Sequence, residues 1–137
     1  MNAGQICLAP DYLMLPKGKS EEFAKASNEA ISEMFADLKY NEDYTSVINE
    51  RHYERINELV SDAKEKGAEV IQINPADEDF EQQELHKIPP TLVLNPTDEM
   101  KIMQEEIFGP VLPVKEYEDF DETVNYVNSK DRPLGLY

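Results

Sequence analysis

The single cysteine of the chain, Cys7, lies in a segment whose residue types suit nucleophilic chemistry. It ends the run Asn2-Ala3-Gly4-Gln5-Ile6-Cys7, in which Gly4 permits a tight backbone turn. A short helical turn starting near Gln5 would aim unpaired backbone N–H groups at Cys7 Sγ and favour its thiolate. The same N–H groups could hold a developing oxyanion, so the segment can both activate a nucleophile and stabilise what it makes.

A second segment, Gln104-Glu105-Glu106-Ile107-Phe108-Gly109-Pro110-Val111, combines a carboxylate and an aromatic ring beside a rigid Gly-Pro bend. Glu106 can accept hydrogen bonds from ribose hydroxyl groups, and Phe108 can pack against a flat heterocycle. The pattern favours binding of a polar cofactor that contains a ring. Each segment also has an ordinary interpretation, in which Cys7 is a small buried hydrophobic residue and the acids are solvated in a helix-to-strand connection.

Alternating apolar runs and amphipathic stretches predict the elements that must hold these two segments. Short apolar or β-branched runs indicate strands at 12–15, 68–73, 91–94 and 111–117. In the last of these, Pro113 favours an edge position or a bulge. Because helical stretches separate the strands, we expect an α/β fold with a largely parallel sheet flanked by helices.

Capping residues predict where three helices begin. Ser20 fits the N-cap of an amphipathic helix whose apolar positions extend to Leu38. A second helix is predicted from its N-cap Asn49 to a stop at Gly67. Asp119, followed three residues later by a glutamate, resembles the capping box of a third.

Three further segments have a weaker pattern. The acidic stretch 74–87 is predicted to be a solvated loop, and 98–103 a short helical turn. The apolar end of the chain, 133–137, reads as a strand-like segment.

The charge balance excludes several classes of partner. The 137 residues include 29 Asp and Glu against 13 Lys and Arg, a net charge of −16, which opposes binding to nucleic acid or to an anionic membrane. No apolar stretch approaches the roughly 20 residues of a membrane-spanning helix, and we see no signal peptide. A single cysteine allows no internal disulfide, which favours a reducing, cytoplasmic compartment.

The two chemical segments, about a hundred residues apart in this order, resemble two motifs of the aldehyde dehydrogenase superfamily. The segment that ends in Cys7 is similar to its catalytic-cysteine motif, and Glu105-Glu106-Ile107-Phe108-Gly109-Pro110 to its nicotinamide-ribose motif. The closing motif of the family is present as Arg132-Pro133-Leu134-Gly135-Leu136-Tyr137. The continuation Ala9-Pro10-Asp11-Tyr12 is similar to the sequences of the branch that acts on medium-chain, fatty and aromatic aldehydes. Within that branch, it is similar to the bacterial coniferyl aldehyde dehydrogenases.

This resemblance implies a role for each of three residues. Cys7 would attack the aldehyde carbonyl to give a thiohemiacetal, which loses hydride to the nicotinamide and becomes a thioester that water hydrolyses. The backbone N–H of Cys7 would form half of the oxyanion hole. Glu106 would hold the nicotinamide-ribose hydroxyls of NAD or NADP, and Phe108 would position the nicotinamide. Gln5 would shape the turn that presents the thiol, without a catalytic role.

The resemblance also implies that residues 1–137 are only part of the catalytic, cysteine-bearing domain. The dinucleotide-binding and oligomerisation domains would be absent, together with an upstream asparagine of the oxyanion hole and an upstream glutamate general base. We therefore expect the isolated piece to be inactive, and the parent enzyme to be a homo-oligomer that binds a small aldehyde. An acylating or non-catalytic relative with the same scaffold remains open, because the general-base position is missing. The alternative from another class is an acidic protein-interaction module in which Cys7 is buried and inert.

Other features favour structural interpretations. Lys17-Gly18-Lys19-Ser20 lacks the earlier glycine of a phosphate-binding loop. His52 and His86 have no second ligand at metal-binding spacing, and the acidic stretch lacks the glycine-centred pattern of a calcium loop. The sequence predicts no metal site.

Overall fold

Strands and helices are interspersed along the part of the chain that the computed structural model describes, residues 2–81 and 83–137. Short 3₁₀ turns cover Asn2–Gly4 and Lys101–Met103, the second within the helical turn predicted at 98–103. The regular elements are β1 (Leu13–Pro16), α1 (Ser20–Met34), α2 (Glu50–Glu65), β2 (Glu69–Gln72), β3 (Thr91–Leu94), β4 (Val111–Tyr117) and α3 (Phe120–Asn128). The predicted α/β fold is confirmed.

The four strands form one mixed sheet in the order β1-β4-β3-β2. β4 pairs in parallel with β1 on one side, where Leu13 lies opposite Val114, and with β3 on the other. Only β2 runs antiparallel, through its pairing with β3. The largely parallel sheet expected from the sequence is therefore correct for two of the three pairings.

Pro113 lies in β4, one of the two interior strands, and the register with β3 is continuous, so the edge position or bulge predicted from it is wrong. The carbonyls of Pro110 and Val114 accept hydrogen bonds on the β3 side, whereas that of Tyr117 accepts from Lys17, just beyond β1. Backbone groups alternate in direction along a strand, so Pro113 faces the β1 side. β1 begins at Leu13, which lies opposite Val114, the residue after Pro113. No residue of β1 therefore lies opposite Pro113, and its missing N–H costs the sheet no hydrogen bond.

The second helix, α2, follows its sequence signals closely. Asn49 is the N-cap, its side chain accepting a hydrogen bond from the His52 amide at 3.0 Å. Gly67, with a φ of +93°, follows the end of the helix as predicted. The apolar face of α2 lies in the core against β3, β4 and the segment before β4, with Ile56, Leu59 and Ala63 buried.

Two predicted details of α1 are wrong. Ser20 is the first helical residue rather than the cap, and its amide donates to the Glu116 carboxylate at 3.1 Å. The helix ends at Met34, so Leu38 lies beyond it. Leu38 is nonetheless fully buried, because its amide and that of Lys39 bind the Glu78 carboxylate and hold this loop against the domain.

The acidic stretch contains no helix or strand in its described residues 74–81 and 83–87, as predicted, but it is not simply solvated. Besides the Glu78 contact, Lys87 is only 6% exposed. Its Nζ donates to the carbonyl oxygens of Leu38, at 3.1 Å, and Asn41. These contacts fasten the loop after α1 to the segment before β3.

The end of the chain differs from its prediction. Asp119 caps α3 as expected, while Glu122 accepts a hydrogen bond from the Glu118 amide. Residues 133–137 form no strand, because no described strand pairs with them, and Leu134, Leu136 and Tyr137 are exposed. No helix in the described part of the chain is long and apolar enough to cross a membrane.

Candidate active site

Cys7 lies in a tight turn immediately after the left-handed turn at the start of the chain. The φ angles of Asn2 and Ala3 are both +47°, that of Gly4 is +73°, and the turn closes with the Gln5 amide donating to the Asn2 carbonyl at 2.9 Å. The helical turn thus precedes Gln5, whereas the sequence predicted that it starts there. Non-glycine residues in this region of φ are strained and are concentrated at functional sites.

The cysteine itself is exposed, within a second turn that runs from Ile6 to Ala9. The Ala9 amide donates to the Ile6 carbonyl at 2.9 Å, which places Cys7 at the second position of the turn. The turn makes no use of the amide at that position. An exposed thiol next to a backbone donor that the turn leaves free is an arrangement suited to nucleophilic attack on a carbonyl group.

Gln5 fastens this segment to the chain that leads into α2. Its side-chain Nε2 donates to the Ser46 carbonyl and its Oε1 accepts from the Ile48 amide, each at 2.9 Å. A side-chain amide that satisfies a backbone donor and a backbone acceptor two residues apart fixes both position and orientation. The contact fits the structural role expected for Gln5.

The second predicted segment forms a loop before β4 that is anchored at Ile107. This side chain is 1% exposed and packs in the core with Ile56. Its neighbours point elsewhere: Glu106 is exposed, and Phe108 is partly exposed with a φ of +50°. The carboxylate and the ring therefore flank a buried anchor.

The fold brings the two segments into direct backbone contact. A β-carbon added at Gly4 would lie 2.3 Å from the carbonyl oxygen of Gly109. On the other side of the loop, a β-carbon at Gly109 would lie 2.5 Å from Cδ1 of Ile56. The cysteine segment, the loop before β4 and helix α2 are thus stacked so closely at Gly4 and Gly109 that neither position has room for a side chain.

Two charged side chains complete this packing. The Asp11 carboxylate accepts a hydrogen bond from the Ile107 amide at 2.9 Å. Arg55, on α2, donates to the carbonyls of Glu106, at 3.2 Å, and Ile107. Burial raises the pKa of Asp11, and this effect exceeds the opposing effects of the Ile107 hydrogen bond and the positive charge of Arg55.

Sequence reasoning missed both of these residues. A side chain that holds a backbone group of a distant segment leaves no local spacing pattern. The only signal for Asp11 is its place in Ala9-Pro10-Asp11-Tyr12, which continues the cysteine motif. For Arg55 the sequence offers only its place on α2, one residue before the buried Ile56.

A small cleft lies where the two segments meet. Cys7 does not line it, although it lies in sequence between two residues that do. The cleft is lined by Gly4, Ile6, Ala9, Pro10, Asp11, Glu106, Ile107, Phe108 and Gly109. Within residues 2–81 and 83–137, no group of three or more His, Cys, Asp or Glu side chains could hold a metal ion.

Comparison with known proteins agrees with this geometry. The sequence model of the aldehyde dehydrogenase family matches residues 1–136. The chain belongs to the aldehyde dehydrogenase family. It is 61% identical over 137 residues to a probable coniferyl aldehyde dehydrogenase of Caulobacter vibrioides, and 49% identical over 136 residues to a coniferyl aldehyde dehydrogenase of Pseudomonas sp.. These alignments cover 100% and 99% of this chain and 28% of each relative.

A solved aldehyde dehydrogenase shares the fold. The substrate-bound AldH of Staphylococcus aureus superposes with a TM-score of 0.84 at 29% identity, over 98% of this chain and 28% of that one. The chain therefore spans a little over a quarter of the length of the aldehyde dehydrogenases that it matches. Enzymes of this family use NAD(P). The exposed Cys7 contradicts the buried thiol on which the alternative of a non-catalytic interaction module depends.

Proposed function

We propose that this chain is the cysteine-bearing part of the catalytic domain of a longer, NAD(P)-dependent aldehyde dehydrogenase that oxidises an aldehyde to a carboxylic acid. The observation that carries the proposal is the contact of the Cys7 segment with the loop of Glu106 and Phe108, made through Gly4 and Gly109. This contact joins a segment suited to nucleophilic attack to a segment suited to holding a cofactor.

In the proposed reaction, the thiolate of Cys7 attacks the aldehyde carbon and forms a C–S bond, giving a thiohemiacetal. The amide of Cys7 donates a hydrogen bond to the oxygen that gains negative charge, since the turn from Ile6 to Ala9 makes no use of this amide. Loss of hydride converts the thiohemiacetal to a thioester of Cys7. Water then attacks the thioester, which releases the acid and restores the thiol.

The exposed residues of the loop fit the chemistry of a nicotinamide dinucleotide. The carboxylate of Glu106 is free to accept hydrogen bonds from ribose hydroxyl groups, and the partly exposed ring of Phe108 offers a surface for a flat heterocycle. When bound, NAD(P)⁺ supplies the hydride acceptor. Ile107 orients both side chains because it is buried between them.

Coniferyl aldehyde is the proposed substrate. The proposal rests on the names of two relatives, at 61% and 49% identity, both of which are called coniferyl aldehyde dehydrogenases, one of them a probable one. We choose this aldehyde over an aliphatic one for that reason.

The remaining machinery is proposed to lie in other parts of the longer protein, since the chain covers 28% of these relatives. These parts would supply the dinucleotide-binding domain, the general base for thioester hydrolysis and the surfaces of a homo-oligomer. Without them, the 137-residue chain is expected to bind NAD(P) weakly and to lack dehydrogenase activity.

The test is the formation of NADH or NADPH from coniferyl aldehyde by the intact protein that contains this chain, compared with its C7A and E106Q variants. C7A is expected to lose all activity. E106Q is expected to raise the KM for the cofactor about tenfold, because it replaces an ionic hydrogen-bond acceptor with a neutral one. A C7A variant as active as the unsubstituted protein would refute the proposal.

A further inference from the structure

The backbone of Ile107 is held from two directions. Its amide donates to the Asp11 carboxylate and its carbonyl accepts from Arg55, while its side chain is buried in the core. A residue held at its side chain and at both backbone groups has little freedom to rotate. The directions of the flanking Glu106 and Phe108 side chains therefore depend on these contacts.

Of the two charged contacts, only the one with Asp11 comes from the direct continuation of the cysteine segment. Asp11 is four residues after Cys7, and the structure ties it across 96 positions of sequence to the Ile107 amide at 2.9 Å. Arg55 instead ties the loop to α2. The Asp11 side chain thus links the segment of the nucleophile to the loop of Glu106 and Phe108 by a hydrogen bond. The backbone contact of Gly4 and Gly109 joins the same two segments.

The placement of Asp11 costs its carboxylate part of its hydration, which argues that the side chain has a specific role there. Asp11 is partly buried and lines the cleft between the two segments, so its carboxylate gives up part of its hydration. The hydrogen bond from the Ile107 amide to the side-chain oxygen of Asp11 compensates part of this loss. The left-handed φ of Phe108, next to the bonded amide, is a conformation that needs such support.

We infer that Asp11 is a positioning residue that sets the loop of Glu106 and Phe108 in its cofactor-holding conformation relative to Cys7. The inference rests on the proposed function and deepens it by assigning a role to a side chain outside the predicted site. Asp11 acts through the Ile107 amide and does not touch the reacting atoms. Its acceptor oxygen matters for this role more than its charge.

Two variants separate these properties. D11A removes the acceptor, whereas D11N keeps an oxygen at the same place and loses the charge. D131A is the matched control, because Asp131 is an exposed carboxylate in the segment after α3. Each variant is made in this chain, for hydrogen exchange of the loop amides, and in the intact protein, for steady-state kinetics.

In D11A, the amides of residues 105–109 are expected to exchange about tenfold faster than in the unsubstituted chain. The KM for NAD(P) is expected to rise about tenfold, with less than about a twofold change in the KM for the aldehyde. D11N is expected to restore both values to within about threefold, and D131A to change neither.

The inference is overturned if D11A leaves the exchange of the loop unchanged, or if D11N is as impaired as D11A. A purely structural role would lower stability without this selective effect on the cofactor KM, and that result would also overturn it. If the unsubstituted intact protein oxidises no aldehyde, the proposed function fails. In that case the exchange of the loop still decides whether Asp11 holds it.

Discussion

The α-carbon of Gly4 packs directly against the carbonyl group of Gly109, so closely that a β-carbon on Gly4 would lie 2.3 Å from the oxygen. The φ of Gly4, +73°, is also unfavourable for any other residue. Both properties belong to the contact that joins the cysteine segment to the loop before β4.

Replacement of Gly4 by alanine should therefore destabilise the chain by about 3 kcal/mol, since it combines a backbone strain with a steric clash. Gly18 provides the matched control, because its φ is +79° but a β-carbon there would meet nothing within 4 Å. G18A should cost only about 1 kcal/mol, for the backbone strain alone. Urea denaturation measures both values, and equal losses would contradict the clash.

The thiol of Cys7 should react with iodoacetamide in the folded chain. Its exposure predicts a rate within about tenfold of that in the urea-unfolded chain, whereas a buried cysteine would react about a hundredfold more slowly before unfolding. Mass spectrometry measures the labelling without ambiguity, because the sequence contains one cysteine, and C7S provides the blank. Protection of the thiol in the folded chain would favour the alternative, in which Cys7 is buried and inert.

The stability of the chain should depend on pH through Asp11. Burial raises its pKa above the ordinary 3.8, so the folded chain favours the protonated form. The benefit of protonation is present below pH 3.8 and is lost as the pH rises through the raised pKa. The unfolding free energy of D11N minus that of the unsubstituted chain should consequently increase over this range.

A substitution of Arg55 should change the pKa of the same carboxylate. R55M removes a positive charge that lowers the pKa of Asp11. In the R55M background, the difference in unfolding free energy between the chains with and without D11N should therefore increase more with pH. Urea titrations at several pH values measure both differences. A flat pH dependence in both backgrounds would contradict the raised pKa.

Lys87 should contribute to stability through its two carbonyl contacts. K87M leaves the carbonyls of Leu38 and Asn41 without their donor and should cost about 2 to 3 kcal/mol. K25M serves as the control on the exposed side of α1, where the change should stay within about 0.5 kcal/mol. Equal effects of the two variants in urea denaturation would show that the loop after α1 does not depend on Lys87.

Local signals predicted those parts of the fold that neighbouring residues determine. Asn49 and Asp119 cap their helices because a cap needs only an acceptor and the next few amides. The strand bounds 91–94 and 111–117 were equally predictable from the sequence, because the apolar runs end at turn-forming residues. Pro113 misled the prediction, since strand order and strand length are set by tertiary pairing.

The same division applies to the site. Its two segments were identifiable from motifs, whereas the contacts of Asp11 and Arg55 join residues 96 and about 50 positions apart. Leu38 was expected on a helix and lies in a loop instead, because Glu78, 40 positions later, binds its amide. Contacts of this kind become visible only when the chain has been folded.

The 96 positions between Asp11 and Ile107 also impose an order of events during synthesis. At about 5 to 20 residues per second, Asp11 and the neighbouring thiol wait roughly 5 to 20 seconds before their partner segment leaves the ribosome. Throughout that interval the loop-closure entropy of the intervening chain is still to be overcome. Cys7 and Asp11 are thus made well before the loop of Glu106 and Phe108, and the contact between the two segments can form only after both have been synthesised.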